Sequence, residues 1–188
     1  TGSQSGDFYT GDPNRNRILR VSPSGRLIAT YSLDGTGEKF TNRPSRFRVL
    51  EAQQLFYIFQ DAGVVHALTF DGQQRWSTPT GATWEAWYNR GGDFDADDDG
   101  NFYALPELSD TISVFGPDGQ PKGTLQLKGE DVKGELLFLR LWQDTIFLKR
   151  RHATELFRIY DRQTGELRRA VSADVARLQV EFPSEVWT

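Results

Sequence analysis

The chain has 188 residues, with 22 basic and 26 acidic side chains, a net charge of −4 and a hydrophobic content of 37%. This acidic balance argues against nucleic-acid binding, which normally needs a basic surplus, and no apolar run approaches the ~18 residues that span a bilayer. The absence of cysteine excludes disulfides, thiolate metal sites and a cysteine nucleophile.

Similar segments recur along the chain with a period of about 47 residues. Each has a tight-turn glycine between two apolar runs, namely Gly25, Gly72, Gly119 and Gly165. Each also has an aromatic residue at the end of the preceding strand, namely Tyr9, Tyr57, Tyr103 and Phe147. Because two independent markers share one period, the sequence predicts a repeat architecture.

Each repeat reads as strand, loop, strand, tight turn and strand. The strand before the turn has two apolar columns, Ile18, Val65, Ile112, Phe157 and Val21, Leu68, Phe115, Tyr160. The column between them is mostly polar and is predicted to be less buried: Leu19, His66, Ser113, Arg158. A further strand is predicted ahead of the later repeats and at the end of the chain: Phe47–Leu50, Phe94–Asp95, Leu136–Trp142 and Leu178–Phe182.

Four strands in every 40–50 residues, without helical periodicity, predict an all-β fold of the β-propeller class. We expect one domain, residues 1–188, with four-stranded blades at about 6–40, 41–82, 83–129 and 130–174. The C-terminal segment, residues 175–188, then has two alternatives. It completes the first blade and closes a four-bladed ring, or it starts another blade of a larger ring.

The segment DADDDGNFYALPELSDTISVFGPDGQPKGTL, Asp95–Leu125, resembles an NHL-type propeller repeat, and Gly6–Leu33 is similar to it. The segment ALTFDGQQRWSTPTG, Ala67–Gly81, looks more like the Trp-ending repeats of quinoprotein-like propellers, as does YDRQTGEL, Tyr160–Leu167. The resemblance covers nearly the whole chain and implies a propeller of the six-bladed type. Such propellers include interaction modules, lactonase-type hydrolases and lyases, so the resemblance implies no single activity.

The acidic run Asp93–Gly100 is the most conspicuous local feature. Asp95, Asp97 and Asp99 match the D-x-D-x-D-G start of a calcium loop, in which alternate carboxylates converge on the cation. The twelfth position, however, is Pro106 instead of a bidentate Glu. Two hypotheses follow: a Ca²⁺ site, or an ordinary blade turn with surplus carboxylates in solvent.

The basic stretch Lys149, Arg150, Arg151 and His152 is placed in the loop of the fourth repeat equivalent to the acidic one. It suits an acidic partner or a headgroup surface, or it is a solvated loop. If both loops lie on one face, that face is bipolar and favours an oriented protein–protein contact.

An aromatic group joins the second and third repeats: Trp84, Trp87 and Tyr88, next to Arg90. These residue types dominate interface hot spots, and they also suit a glycan or packing between blades. Trp76 and Trp142 lie on predicted strands and are expected in the core.

Four charged residues fall on the predicted inner strands: Arg48, Asp95, Arg140 and Glu181. They are predicted to form either a polar ligand site or a satisfied set of ion pairs. Nucleophilic catalysis has little support, because there are two histidines and no G-x-S-x-G, H-E-x-x-H or P-loop motif.

These observations predict a binding or scaffold module that is not an enzyme and that contacts a protein or a glycan through its loops, as an accessory part of a larger assembly. The alternatives are a metal-dependent hydrolase or lactonase, and a calcium-stabilised adhesion domain. No cofactor other than Ca²⁺ is expected, and neither nucleic acid nor a membrane span. Because the first residue is Thr1 and cysteine is absent, we expect a bacterial periplasmic or extracellular protein, or else a fragment of a longer chain.

Overall fold

The computed structural model of the chain describes residues 6–34, 47–59, 63–81, 84–85, 90–129, 136–151 and 155–172, and for residues 13, 84, 85, 90 and 91 only the backbone. The strands are β1 Phe8–Asp12, β2 Arg17–Val21, β3 Leu27–Ser32, β4 Phe47–Leu50, β5 Leu55–Phe59, β6 Val64–Thr69, β7 Gln74–Pro79, β8 Trp84–Glu85, β9 Arg90–Gly91, β10 Asp93–Ala96, β11 Phe102–Leu105, β12 Thr111–Phe115, β13 Pro121–Gln126, β14 Leu136–Trp142, β15 Thr145–Arg150, β16 Phe157–Asp161 and β17 Leu167–Val171. Within the described residues, Pro13–Arg15 form a 3₁₀ turn. No helix in this part of the chain is long and apolar enough to cross a bilayer.

The contacts divide the chain into two compact units, Thr1–Thr80 and Gly81–Thr188. The first unit contains the three-stranded sheet β1-β2-β3 and the four-stranded sheet β4-β5-β6-β7. The second contains the short pair β8-β9 and two four-stranded sheets, β10-β11-β12-β13 and β14-β15-β16-β17. Every sheet is antiparallel with its strands in chain order, which confirms the all-β prediction and the repeated unit.

The strands predicted ahead of the repeats are present where the structure describes them. β4 and β14 have the predicted bounds, and β10 is one residue longer at each end. Leu178–Phe182 lies outside the described residues, so the two alternatives for the C-terminal segment stay predictions. In the described residues, the first sheet accordingly consists of three strands.

The turn glycines occupy the left-handed backbone region at all four equivalent positions. Their φ values are 81° at Gly25, 84° at Gly72, 78° at Gly119 and 69° at Gly165. L-residues other than Gly rarely adopt this region, which explains why glycine recurs with the repeat period. The strand before each of these turns also has a register shift, between Arg20/Val21, Ala67/Leu68, Val114/Phe115 and Ile159/Tyr160.

The predicted apolar column is fully buried, with Ile18, Val65 and Ile112 at 0% exposure and Phe157 at 3%. The column next to it is half-buried at three of its four positions. His66 is the exception, since it is only 6% exposed and its Nδ1 lies 3.1 Å from Gln74 Oε1. The alternation of apolar and polar residues along the strands therefore predicts the core face correctly. It does not predict that the polar side chain of His66 is buried.

Each unit packs apolar side chains between its own sheets. In the first unit the ring of Phe56 lies 5.0 Å from that of Tyr31 and 4.6 Å from that of Phe70. The Tyr9 hydroxyl donates a 2.7 Å hydrogen bond to Glu51 Oε1, and burial, with Glu51, raises the pKa of Tyr9. In the second unit the main cluster consists of Leu105, Ile112, Leu127, Leu136, Leu139, Ile146, Leu148 and Tyr160.

The β16–β17 turn is stabilised by a carboxylate. Asp161 Oδ1 accepts from the backbone N–H groups of Gln163 and Thr164 at 2.8 Å, and its Oδ2 accepts from Arg168. The hydrogen bond from the Arg168 guanidinium, followed by the turn N–H groups, holds the pKa of Asp161 well below its ordinary value of 3.8. A carboxyl group whose pKa is lowered by folding stabilises the folded chain fully above its unfolded pKa, and this contribution is lost as the pH falls through the folded pKa.

We therefore expect Asp161→Asn to weaken the dependence of stability on acid. When the pH is lowered from about 4 to about 2.5, the urea concentration at the unfolding midpoint of the wild type should decrease. The decrease should be smaller in Asp161→Asn, which lacks this titrating carboxyl group. Asp118→Asn is the control, because Asp118 caps the equivalent turn through Gln120 N and the described contacts give it no arginine partner. An equal fall in all three proteins would contradict the assignment.

Candidate functional site

A polar cleft of about 360 Å³ lies in the second unit, where two neighbouring sheets present their turns. One wall is the β10–β11 turn and the other is the β14–β15 turn. The lining residues are Ala96, Asp97, Asp98, Asp99, Leu141, Trp142, Gln143 and Arg162. Among the lining residues, the side chains of Asp98, Asp99, Trp142 and Gln143 are exposed, so the cleft offers charge, an aromatic face and an amide to solvent.

Asp97 fixes the acidic wall of the cleft. Its Oδ1 accepts from the backbone N–H of Asn101 at 2.9 Å, and both carboxylate oxygens accept from Asn101 Nδ2 at 3.1–3.2 Å. The Asn101 Oδ1 in turn accepts from Lys122 Nζ at 2.6 Å. Because Asp97 is held by its own turn, the two exposed carboxylates that follow it are displayed on a defined backbone.

Arg162 links the two sheets across the cleft. Its Nη1 donates to Asp97 Oδ2 at 3.2 Å, and its guanidinium carbon lies 5.9 Å from the centroid of the Tyr103 ring. Burial raises the pKa of Tyr103, and the positive charge of Arg162 partly offsets this effect. A guanidinium held by one carboxylate and one aromatic ring is a preorganised part of the wall.

Below the cleft, two aspartates of β10 join the first strands of the sheets. Asp93 Oδ2 accepts from the backbone N–H of Leu139 at 2.8 Å, and Asp95 Oδ2 accepts from that of Leu141 at 2.7 Å. Asp93 is fully buried and Asp95 is 5% exposed. Residues two apart on a strand point to the same face, so both carboxylates reach the same partner strand, β14.

Asp95, Asp97 and Asp99, the residues of the calcium-loop hypothesis, have different surroundings in the structure. Asp95 bonds the backbone of β14, Asp97 bonds its own turn and Arg162, and Asp99 is exposed. The described residues contain no group of three His, Cys, Asp or Glu side chains that could hold a metal ion. The D-x-D-x-D-G spacing places these carboxylates in a loop around a cation only when the chain wraps back on itself, whereas here β10 is extended through Ala96.

The basic stretch lies at the other end of its sheet. β15 starts at the β14–β15 turn beside the cleft and runs away from it, so Lys149, Arg150 and Arg151 lie at its far end. The two loops are not equivalent, and the condition for a bipolar face is not met. His152 lies outside the described residues.

Two of these basic residues make contacts within the unit. Lys149 Nζ donates to the Glu155 carbonyl. Arg150 is only 3% exposed and donates to the carbonyls of Glu107 and Ser109. A buried guanidinium satisfied by two carbonyls positions the β11–β12 loop, so Arg150 is not available for partner docking, while Arg151 is exposed.

The predicted aromatic group falls mostly outside the described residues. Trp87 and Tyr88 lie outside them, and Trp84 and Arg90 are described only as backbone of the paired strands β8 and β9. Trp76 packs against Tyr57 with ring centroids 5.1 Å apart. Trp142, predicted in the core, is 38% exposed because it ends β14 at the turn, where the strand leaves the sheet interior; it lines the cleft instead.

The predicted inner-strand charges lie in both units. Arg48 lies on β4, and its Nη1 donates to the Phe47 carbonyl at 2.9 Å. In the second unit Arg140 donates to Asp93 Oδ2 at 3.0 Å, which pairs two of the predicted inner strands. Glu181 lies outside the described residues. Gln143 and Arg162, which complete the cleft, were not predicted as site residues, since neither belongs to a recognisable motif.

Searches against family models and against curated proteins find no match. Solved structures do match. The chain aligns with a streptogramin B lyase at a TM-score of 0.56 and 13% identity, covering 92% of this chain and 53% of that one. It aligns with virginiamycin B lyase from Staphylococcus aureus at a TM-score of 0.53 and 14% identity, covering 85% and 50%.

The WD40 β-propeller domain of Doa1 matches at a TM-score of 0.57 and 13% identity, covering 92% of this chain and 52% of that one. The chain thus spans about half the length of these solved structures. Identities this low show the fold alone. Together with the repeated antiparallel sheets, these matches show that the chain has a β-propeller fold.

Proposed function

We propose that this chain is a non-catalytic binding module that uses the turns of its sheets to contact a protein partner. The observation that carries the proposal is the polar cleft between the β10–β11 and β14–β15 turns, with Trp142 exposed in its wall. An exposed Trp beside charged side chains is a residue set that contributes strongly to protein interfaces. WD40 propeller domains among the similar structures favour an interaction role.

The backbone under the cleft suits a preformed interface. Asp97 holds one turn and Arg162 connects it to the neighbouring sheet. Asp93 and Asp95 fasten the strands beneath through backbone N–H groups. Binding to loops held by a rigid scaffold avoids much of the entropic cost of ordering them.

An enzymatic role has less support from the described residues. Two of the similar structures are lyases, but a hydrolase or lactonase of the metal-dependent kind needs a convergent ligand set. Asp95 and Asp97 are each committed to hydrogen bonds within the fold. A calcium-stabilised adhesion domain depends on the same carboxylates and is disfavoured for the same reason.

The proposal extends to the setting of the module. We place it as an exported accessory part of a larger assembly, with NHL-like repeats, in a bacterial periplasm or cell exterior. The NHL-type pattern of Asp95–Leu125 and the absence of cysteine support this setting. A glycan is the alternative partner, and binding of maltotriose in place of an arginine peptide would favour it.

Replacing Trp142 should abolish partner capture. We expect immobilised wild-type chain to retain a defined set of proteins from an extract of the source organism, and Trp142→Ala to lose at least tenfold of that signal, because a buried interface Trp contributes about 2 kcal/mol or more. Leu108→Ala is the matched control, since Leu108 is 76% exposed and lies in the β11–β12 loop away from the cleft. Equal capture by all three proteins would overturn the proposed function.

A further inference from the structure

We propose that the cleft binds an arginine side chain of the partner, with the guanidinium stacked on Trp142 and paired with the carboxylates of the β10–β11 turn. This inference rests on the proposed function and names the chemistry of its partner. It is carried by the combination of an exposed indole, exposed carboxylates and an enclosed volume at one place in the second unit.

The charge of the cleft favours a cation. Its described lining contains three carboxylates, those of Asp97, Asp98 and Asp99, and one guanidinium, that of Arg162. The lining therefore has two more acidic than basic side chains. Asp97 is the carboxylate that pairs with Arg162, and the carboxylates of Asp98 and Asp99 are exposed at the tip of the same turn. A cationic side chain entering there gains electrostatic attraction that a neutral one does not.

The aromatic wall favours arginine in particular. Trp is the aromatic side chain that binds cations best on its face, and the planar guanidinium stacks on it while keeping its N–H groups free for carboxylates. The Trp142 indole is 38% exposed within the cleft. The carboxylates of Asp98 and Asp99 lie on the opposite turn, where they can accept the in-plane N–H groups.

The wall of the cleft already contains this arrangement once. The guanidinium carbon of Arg162 lies 5.9 Å from the centroid of the Tyr103 ring, and its Nη1 donates to Asp97 at 3.2 Å. The same chemistry of ring plus carboxylate is available to an incoming side chain from Trp142 and Asp99. With about 360 Å³, the cleft is at the lower limit of small-molecule sites, so it fits one side chain and its adjoining backbone.

Two alternative occupants make different demands. A sugar ring also stacks on Trp and can donate its hydroxyls to carboxylates, but it carries no positive charge for the acidic turn to attract. A metal ion needs converging oxygen ligands, and the described residues hold no such group of three. The charge excess and the aromatic face together therefore favour a guanidinium.

The test is a titration of the ¹⁵N-labelled chain with the peptide acetyl-Gly-Arg-Gly-amide, followed by the indole N–H signal of Trp142. The signal is assigned by its disappearance in Trp142→Phe. Acetyl-Gly-citrulline-Gly-amide is the matched probe, because citrulline keeps the shape of arginine and lacks its charge. We expect a saturable shift with the arginine peptide and at least fivefold weaker binding of the citrulline peptide.

Substitutions identify the charged partners. Asp99→Asn should weaken binding of the arginine peptide about twofold to fivefold, as expected for loss of an exposed ion pair. The double variant with Asp98→Asn and Asp99→Asn should bind the peptide more weakly still. Asp71→Asn should leave binding unchanged, since Asp71 is an exposed turn carboxylate of the first unit and does not line the cleft. Raising the salt concentration should weaken peptide binding to the wild type more than peptide binding to the double variant.

Several outcomes would overturn the inference: equal binding of both peptides, no saturable shift of the Trp142 signal, or a shift produced by maltotriose and not by the arginine peptide. If the peptides fail while Trp142→Ala still loses partner capture, the proposed function stands and the arginine assignment is wrong. If Trp142→Ala captures the same proteins as the wild type, the proposed function itself fails.

Discussion

Replacing Asp93 with alanine is expected to lower the free energy of unfolding by about 2–4 kcal/mol, although this residue lies outside the cleft. Its carboxylate accepts from two buried backbone N–H groups, those of Phe94 and Leu139, both at 2.8 Å. Alanine would leave both donors without this acceptor, and a buried unsatisfied donor costs about 1–3 kcal/mol. The loss is large because Phe94 and Leu139 are themselves fully buried, so water cannot replace the carboxylate.

The ion pair with Arg140 is the smaller part of this effect. The Arg140 side chain is 38% exposed, so solvent screens its charge and rehydrates it when Asp93 is removed. Arg140→Ala leaves the Asp93 carboxylate both of its backbone donors and should open it to water, so it should be milder than Asp93→Ala. If the two variants were equally destabilised, the charge pair would be the main contribution and the backbone assignment would be wrong.

Urea unfolding followed by tryptophan fluorescence measures these differences. Asp93→Asn serves as a second variant in case Asp93→Ala does not fold, because the amide retains one acceptor oxygen and should give an intermediate loss. Asp99→Asn is the control carboxylate, since Asp99 is exposed in the next turn and its replacement should change stability by less than about 0.5 kcal/mol. An Asp93→Ala protein as stable as Asp99→Asn would contradict the argument.

The sheets could be predicted from the sequence because their determinants are local and repeated. Gly25, Gly72, Gly119 and Gly165 each have positive φ, and this requirement leaves a glycine at a regular interval. The apolar column that starts at Ile18 recurs once in each repeat, and its members are all buried. Because the unit is repeated, each turn glycine and each apolar position has equivalents in three other repeats.

The cleft could be predicted only in part, because its determinants are long-range. The acidic run was recognised, but Asp93 and Asp95 bond residues 46 positions away on β14, and the spacing of the carboxylates does not encode those partners. Trp142 was predicted in the core from its strand, since the sequence pattern does not show that the strand ends there at a turn. Arg162 belongs to a different repeat from Asp97, 65 residues apart.

The misplaced basic stretch has a related physical cause. Successive strands in an antiparallel sheet run in opposite directions, so loops alternate between the two ends of the sheet. The acidic turn follows the first strand of its sheet and Arg151 follows the second strand of its own. The shift by one strand is enough to put the two loops at opposite ends, although both precede a turn glycine in the chain.

Gly165→Ala is expected to be far more destabilising than the same change at the equivalent turn of the first sheet. A Cβ on Gly165 would overlap the carbonyl oxygen of Gln126 and would lie 2.9 Å from its carbon. The backbone there cannot easily give way, because Lys128 N donates a 2.9 Å hydrogen bond to the Gly165 carbonyl and fastens the turn to the segment after β13. A Cβ on Gly25, by contrast, meets no atom within 4 Å.

Comparing Gly165→Ala with Gly25→Ala distinguishes the cost of backbone strain from the cost of steric overlap. Both glycines have positive φ, 69° at Gly165 and 81° at Gly25, and an L-residue in this region costs about 1–2 kcal/mol. Overpacking adds about 1–3 kcal/mol at Gly165 alone, so we expect a total loss of about 2–5 kcal/mol there against about 1–2 kcal/mol for Gly25→Ala. Urea midpoints of the two variants measure the difference. Equal midpoints would mean that the β16–β17 turn does not pack on the segment after β13. The assigned contact between the outer strands of these two sheets would then be wrong.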